Sequence, residues 1–125
     1  MKQKFFRCKT CGNIAVLVVN KGAPLVCCGA VMEEMSVNTV DASMEKHIPT
    51  ITVNDCTLEV NVGSIDHPME EGHFIDFVYV ETENGGQRKK LQIGAAPHVS
   101  FCLKDDKAVA VYAYCNLHGL WACEL

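Results

Sequence analysis

Four cysteines near the start of the chain have the spacing of a metal-binding cluster. They follow the pattern Cys8-x-x-Cys11, then fifteen residues, then the adjacent pair Cys27-Cys28. A C-x-x-C pair brings two thiolates to one tetrahedral ion, and the following Gly12 eases the tight turn. The adjacent cysteines can bind the same ion only if the backbone bends sharply between them, which should widen one sulfur–metal–sulfur angle. The pattern predicts a distorted site of four sulfurs, suited to zinc or to a single iron.

Disulfide bonds, including a strained bridge between Cys27 and Cys28, are one alternative to this metal site, and a purely structural zinc site is another. The chain begins with a charged segment that lacks an apolar stretch followed by a cleavage site, so we expect no signal peptide. Its longest apolar stretch, Ile14 to Val19, is far shorter than the ~20 residues that cross a bilayer. These features predict a cytoplasmic protein, where disulfides are rare and clustered cysteines more often bind metal. The choice between iron and zinc stays open at this point.

A second group of possible ligands lies later in the chain and consists of four histidines and one cysteine, namely His47, His67, His73, Cys115 and His118. Taken singly, each histidine is more often a surface residue than a ligand. Cys115 and His118, however, form a C-x-x-H pair, which brings one thiolate and one imidazole within reach of a single ion. One thiolate and four imidazoles exceed the four ligands of a tetrahedral zinc site. They suit a five-coordinate iron with one open position.

The other cysteines and the fifth histidine have no motif partner. Cys56, Cys102 and Cys123 lie in or near apolar segments, and free cysteine often behaves as a small buried hydrophobe. We therefore expect all three to be packing residues. His98 precedes an apolar strand, and we assign it no metal role.

The composition sets limits on partners and on disorder. The formal net charge of -4 provides no basic field for phosphates, which argues against nucleic acid as a partner. Apolar residues make up 49% of the chain, and proline plus glycine number only 13, so the chain should fold. We expect no membrane association.

The ligands need a scaffold, and the chain supplies two kinds. The first ~36 residues are too few to bury an adequate core and depend on a staple such as a metal. From about Thr50 onward, short runs rich in β-branched and aromatic residues alternate with turn residues, which is typical of an antiparallel sandwich or barrel. The expected strands are Cys56–Val62, Phe74–Glu81, Lys90–Ile93, Val99–Leu103 and Ala108–Tyr114. These strands place the four histidines at strand edges or in loops, where binding residues are often carried on a rigid scaffold. We therefore predict a mainly β chain with a metal-bound domain at 1–36 and a β-sandwich domain at 37–125, linked by a segment around 36–44.

These motifs together resemble the desulfoferrodoxin family, the two-iron superoxide reductases. The N-terminal C-x-x-C and adjacent cysteines resemble desulforedoxin. The segments Glu45-Lys46-His47-x-Pro49, His67-Pro68-Met69 with His73, and Cys115-Asn116-x-His118-Gly119 resemble superoxide reductase. The resemblance covers nearly the whole chain in the right order, and it implies a desulforedoxin-like domain followed by an immunoglobulin-like antiparallel β-sandwich.

The resemblance also implies an activity, its cofactors and its partners. The reaction is the one-electron reduction of superoxide to hydrogen peroxide, without release of dioxygen. The implied cofactors are two iron ions, one bound by the four N-terminal cysteines and one by the four histidines and Cys115, with no haem and no flavin. The implied partners are a rubredoxin-type electron donor and a second copy of the chain, in an anaerobe.

The resemblance gives roles to two residues beside His47. Lys46 is the expected local cation that attracts the superoxide anion against the overall negative charge. Glu45 resembles the carboxylate that binds the ferric iron after turnover. Outside this motif, a solvated surface pair is the better interpretation of Glu45-Lys46.

Two other function classes compete with the enzyme. A plain electron carrier that uses only the four-cysteine iron does not explain the histidines. A structural zinc protein explains neither the five-ligand set nor Glu45-Lys46.

Overall fold

The computed structural model describes all 125 residues and divides them into two units. One unit is Lys2–Ser36, and the other is Val37–Leu125 together with Met1. No helix in the chain is long and apolar enough to cross a membrane.

The unit Lys2–Ser36 is built from five strands of two residues each. They are β1 (Phe6–Arg7), β2 (Ile14–Ala15), β3 (Val26–Cys27), β4 (Ala30–Val31) and β5 (Glu33–Glu34). β2, β1 and β5 form one antiparallel sheet, and β3 pairs with β4 in a second. Strands this short bury little apolar surface, and Val18, Val19, Val26 and Val31 are exposed. The small core agrees with the expectation that this unit depends on a metal staple.

The larger unit is an antiparallel sandwich of seven strands that follow one short helix. The elements are α1 (Met44–His47), β6 (Pro49–Asn54), β7 (Thr57–Val62), β8 (Ile75–Thr82), β9 (Gly85–Lys90), β10 (His98–Cys102), β11 (Ala108–Cys115) and β12 (Gly119–Glu124). One sheet has the order β10-β7-β6, and the other has the order β12-β11-β8-β9. The predicted mainly β fold and its immunoglobulin-like sandwich are confirmed.

The core of the sandwich consists mainly of inward-facing residues of β7, β8, β10 and β11. Leu58, Val60 and Val62 of β7 are fully buried, as are Val78 and Val80 of β8. This spacing of two residues is what a strand with one buried face requires. The core continues to Cys115 at the end of β11, so one candidate ligand belongs to the rigid part of the sandwich.

Several local predictions differ from the structure. The predicted strand Lys90–Ile93 is wrong, because the strand in this region is β9, which begins at Gly85 and ends at Lys90. The sequence runs did not single out β6 or β12. His47 ends the helix α1 rather than lying in a loop or at a strand edge.

The prediction that Cys56, Cys102 and Cys123 are packing residues is wrong for Cys56 and Cys102. Cys56 and Cys102 are exposed, and Cys123 is half-buried. Cys102 lies between the buried residues Phe101 and Leu103. The alternation of a strand therefore turns its side chain to the opposite, outer face.

Candidate metal centres

The sulfurs of Cys8, Cys11, Cys27 and Cys28 form a single cluster. All four Sγ atoms lie within 4.8 Å of one another, and every cysteine of the chain is a free thiol. The Cys11–Cys27 sulfurs are 3.6 Å apart and the Cys27–Cys28 sulfurs 4.0 Å. These distances exclude the disulfide alternative, because a disulfide bond is about 2.05 Å long. They fit a tetrahedron of sulfurs about 2.3 Å from a central ion, whose edges measure about 3.8 Å.

The backbone bends at the two places where the cysteine pattern requires it. Gly12 has a φ of 82°, in the left-handed region that glycine adopts without strain, and its N–H donates to the Cys8 carbonyl at 3.0 Å. Cys28 has a φ of 52°, and this bend lets adjacent cysteines contribute to one cluster. The Cys27–Cys28 edge is the longer of the two edges given above, in the direction that the adjacent pair predicts.

The charge state of the sulfurs indicates that the cluster needs a cation. The backbone N–H of Cys11 lowers the pKa of the Cys8 thiol to about 6, whereas the hydrogen-bonded neighbouring sulfurs of Cys11, Cys8 and Cys27 raise the pKa of Cys28 to about 12. The pKa of Cys27 is also raised, with Cys11 as the largest cause. Four thiolates at this spacing would repel one another, so some of the sulfurs keep their protons when no cation is bound. A bound metal ion removes the repulsion and displaces those protons.

The imidazole rings of His47, His67, His73 and His118 surround a common centre. Neighbouring rings, taken in that order and back to the first, have centroids 4.6, 4.6, 5.2 and 5.0 Å apart and are inclined to each other by 79° to 81°. The rings of His47 and His73 lie across the centre, 6.4 Å apart. Four rings in a closed cycle, each nearly perpendicular to the next, form a square of donors rather than a tetrahedron.

Hydrogen bonds to the backbone fix which nitrogen of two rings faces the centre. The Nδ1–H of His47 donates to the Ser43 carbonyl at 2.6 Å, and that of His67 donates to the Pro68 carbonyl at 2.7 Å. The Nε2 atom of each ring is then unprotonated and carries a lone pair, and the two Nε2 atoms face each other at 3.2 Å. Such an arrangement of the outer nitrogen is typical of metal-binding histidines.

His73 and His118 complete the centre with different ring nitrogens, Nε2 for His73 and Nδ1 for His118. The Nε2 of His73 is buried and has no hydrogen-bond partner. The Nδ1 of His118 lies 3.1 Å from the Nε2 of His47. A square of nitrogens about 2.1 Å from an ion has edges of about 3.0 Å. A buried nitrogen without a partner and lone pairs directed at each other are costly unless a cation lies between them, so the residues fit a metal ion.

Cys115 adds a sulfur to this centre. Its Sγ and the ligand nitrogens of His47, His67 and His73 all lie within 4.8 Å of one another, and the Nδ1 of His118 is 3.9 Å from the sulfur. Burial raises the pKa of the Cys115 thiol, against the effect of the His118 N–H that donates to the sulfur at 3.4 Å. A metal ion is therefore needed to hold this sulfur as a thiolate at neutral pH.

The strands β8, β11 and β12 position Cys115 and His118. Between Tyr114 and Cys115, the pairing of β11 with β8 shifts by one residue, and such irregularities commonly redirect a side chain near a functional site. The turn between β11 and β12 closes on Gly119, whose φ is 79°, and carries Cys115 and His118. β12 was not predicted, so the hairpin that explains the C-x-x-H spacing was missed, although Leu120-Trp121-Ala122 after a glycine is a recognisable strand signal.

Burial gives the centre a closed side and an open side. His47, His67 and Cys115 are buried, whereas His73 and His118 are half-buried. Burial lowers the pKa of His67 to about 4 and also lowers the pKa of His47, so both rings are neutral at pH 7 and can bind metal.

Glu45 and Lys46 lie directly before His47 on the helix α1. Glu45 is exposed and Lys46 half-buried, and the Lys46 ammonium forms no ion pair. The backbone N–H of Glu45 itself is the main cause that lowers the pKa of its carboxyl group. The two side chains are thus a carboxylate and an unpaired cation beside a ligand.

Two residues that contact the centre had no predicted role. Trp121 lies with its ring 4.8 Å from that of His47, and its indole N–H donates to the His118 carbonyl at 3.0 Å. Asn116 bonds to the backbone on both sides of His73. Asn116 stood in a recognised motif, but nothing in the sequence showed which groups it contacts.

Comparison with known proteins finds similarity along the whole chain. A sequence model of the desulfoferrodoxin family matches residues 39–124, and one of the desulfoferrodoxin N-terminal domain matches residues 1–35. The desulfoferrodoxin of Nitratidesulfovibrio vulgaris is 42% identical over 121 residues, covering 97% of this chain and 95% of that protein. The desulfoferrodoxin of Desulfarculus baarsii is 43% identical over 120 residues, covering 95% and 94%. The crystal structure of the superoxide reductase from Treponema pallidum has a TM-score of 0.83 and 36% identity, covering 99% of this chain and all of that one.

Proposed function

The chain belongs to the desulfoferrodoxin family, and from this membership we propose that it is a superoxide reductase. The reaction consumes one superoxide anion, one electron and two protons and yields one hydrogen peroxide. The observation that carries the proposal is the closed cycle of four histidine rings with the buried Cys115 sulfur beside it. Five donors of this kind exceed what tetrahedral zinc accepts.

Iron is the metal that fits both clusters and the reaction. We assign one iron to His47, His67, His73, His118 and Cys115 and a second iron to the four N-terminal cysteines. When bound in the histidine cluster, iron supplies the one-electron redox chemistry that superoxide reduction requires. The four-cysteine cluster serves as an accessory redox centre, because sulfur ligation suits a single iron that accepts and passes on electrons.

The protein residues around the histidine cluster have separate tasks. Cys115 would provide a thiolate ligand that donates electron density to the iron, and the N–H of His118 holds its sulfur in place. The carbonyls of Ser43 and Pro68 keep His47 and His67 oriented, and burial keeps both rings neutral. The half-buried side at His73 and His118 leaves a route for protons from water to reach the product.

Lys46 and Glu45 act on the anionic substrate and on the resting site. With a net charge of -4, the protein as a whole repels superoxide weakly. An unpaired ammonium beside His47 reverses this locally and steers the anion to the open position. Glu45 would offer a carboxylate ligand to ferric iron held by the histidine cluster.

Further properties complete the proposal. Residues 1–36 and 37–125 act as separate metal-binding domains, and the division of the chain at Ser36 supports this boundary. A rubredoxin-type protein donates the electrons, the chain works as a homodimer in the cytoplasm, and it detoxifies superoxide in an anaerobe. These properties stay predictions from the family resemblance.

The metal content and visible absorption of the purified full chain test the proposal directly. We expect two irons per chain, two distinct chromophores, and consumption of superoxide with formation of one peroxide per superoxide and no dioxygen. A colourless protein that holds zinc in both clusters contradicts the proposal. A coloured protein with one iron, bound only by cysteines and without activity, supports an electron carrier instead.

A further inference from the structure

We propose that Asn116 is a positioning residue that fixes His73 against the turn carrying Cys115 and His118. The proposal rests on the metal site of the proposed function. The structural basis is a pair of hydrogen bonds from one carboxamide to the backbone on either side of His73.

His73 lacks the kind of ring anchor that orients His47 and His67. The rings of His47 and His67 each donate to a backbone carbonyl, whereas neither ring nitrogen of His73 has a hydrogen-bond partner in the protein. The orientation of His73 must therefore come from its backbone. Its N–H and carbonyl both pair with Glu70, at 3.1 and 2.9 Å, which closes a tight local turn but links it to no other ligand.

Asn116 provides the missing link to the other ligands. Its Nδ2–H donates to the Gly72 carbonyl at 3.0 Å, and its Oδ1 accepts from the Phe74 N–H at 2.8 Å. Its own N–H donates to the Phe74 carbonyl at 3.1 Å. The carboxamide thus spans the residue pair that flanks His73, from a position directly after Cys115.

The side-chain chemistry of asparagine suits this position. The carboxamide offers one acceptor and one donor in a fixed plane, so it can bond to a backbone N–H and a carbonyl two residues apart. An aspartate at position 116 keeps the acceptor but has no donor for the Gly72 carbonyl. Loss of such an outer partner of a metal ligand commonly weakens metal binding by about 10–100-fold.

Asn38 is a matched control within the same unit. Its carboxamide also makes two bonds to backbone, donating to the Ala122 carbonyl at 3.1 Å and accepting from the Ala122 N–H at 2.9 Å, and neither residue is a candidate ligand. Its φ of 55° makes alanine strained there. Asn38→Ala therefore removes the same kind of bonds and strains the backbone in addition, without touching His73.

The test is the ferrous-iron affinity of the histidine cluster in the full chain, measured by competition with an iron chelator. Binding is followed by the fluorescence of Trp121, which is the only tryptophan and whose ring lies 4.8 Å from that of His47. The absorption of the four-cysteine iron is the internal reference. We expect Asn116→Ala to weaken iron binding by about 10–100-fold and to shift the ferric absorption of the histidine cluster, with the reference band unchanged. Asn38→Ala should stay within about twofold of wild type.

A second pair of variants keeps the test decisive if Asn116→Ala does not fold. Asn116→Asp loses only the bond to the Gly72 carbonyl and should bind iron more weakly than Asn38→Asp. Equal affinities within either pair overturn the positioning role, provided that the wild type binds two irons. A wild type with no iron in the histidine cluster contradicts the proposed function itself.

Discussion

Replacement of Gly63 by alanine should disrupt the histidine centre from outside it. Gly63 is buried between β7 and the loop that leads to His67, and it packs against the backbone of α1. A Cβ atom built at this position lies 2.4 Å from the Glu45 carbonyl oxygen and 2.9 Å from that of Ile48. Both contacts are to backbone atoms, so no side chain can rotate away.

The size of the effect follows from these distances. Ordinary contact begins at 3.4 Å, so α1 or the Gly63 loop must move by about 1 Å. The movement separates the Glu45 carbonyl from the Ile65 N–H and the Ser64 hydroxyl, which donate to it at 3.0 and 3.2 Å. Two lost hydrogen bonds and the overpacking together cost about 2–6 kcal/mol. A shift of about 1 Å at His47 lowers the rate of a positioned reaction by about 100-fold.

The loss of rate is measured as the reduction of superoxide that is supplied by stopped flow or generated in a pulse. Iron analysis and thermal unfolding measure the loss of metal and of stability. Gly72→Ala is the matched control, because a Cβ atom there meets nothing within 4 Å although Gly72 adjoins His73. We expect the control to keep wild-type activity. If Gly63→Ala matches Gly72→Ala in rate, iron content and unfolding temperature, close packing of this glycine does not position the centre.

Three further changes test separate parts of the mechanism and the fold. Lys46→Ala should slow superoxide reduction on the order of tenfold and flatten its dependence on ionic strength, whereas Lys46→Arg should keep both; an unchanged rate and salt dependence means that Lys46 does not attract the substrate. Cys115→Ser should abolish activity while the absorption of the four-cysteine centre survives, and full activity in this variant contradicts the thiolate role. The Ser100 hydroxyl is the main cause that lowers the pKa of Glu59, so Glu59 adds stability above its unfolded pKa of about 4.3 that is lost as the pH falls through its lower folded pKa. Chemical unfolding should give wild type a higher free energy of unfolding than Glu59→Gln at pH 7, and this difference should disappear in acid. A difference that does not change with pH contradicts this assignment.

The sequence predicted well those features of the structure that depend on residues close together in the chain. Cys8 and Cys11 lie in one cluster because a C-x-x-C turn is only four residues long, and Gly12 has the positive φ that this turn needs. The β-sandwich was predictable because short runs rich in β-branched and aromatic residues alternate with turn residues along the chain. The prediction for Cys102 failed because an apolar run does not by itself show which residues of a strand face the core. Cys102 sits in an apolar run, yet it points outward because Phe101 and Leu103 occupy the inner face.

The histidine centre shows the same division between local and distant information. The types of its ligands, and their number, could be inferred from the sequence, and they were enough to favour iron. His47 and His118 are 71 positions apart, yet their ring nitrogens face each other at 3.1 Å. That contact depends on the register of β11 with β8 and β12 and on the packing of α1 against Gly63. No spacing along the chain encodes it.

The sequence by itself therefore determined the ligand types, the two-part organisation and the class of fold, because each follows from short-range spacing and hydrophobic alternation. The tertiary structure decided which nitrogen of each ring faces the centre, which side of the centre stays open to water, and that Asn116 ties His73 to the turn after Cys115. These features depend on hydrogen bonds between residues distant in sequence, and such bonds exist only once the sheets have set the strand register.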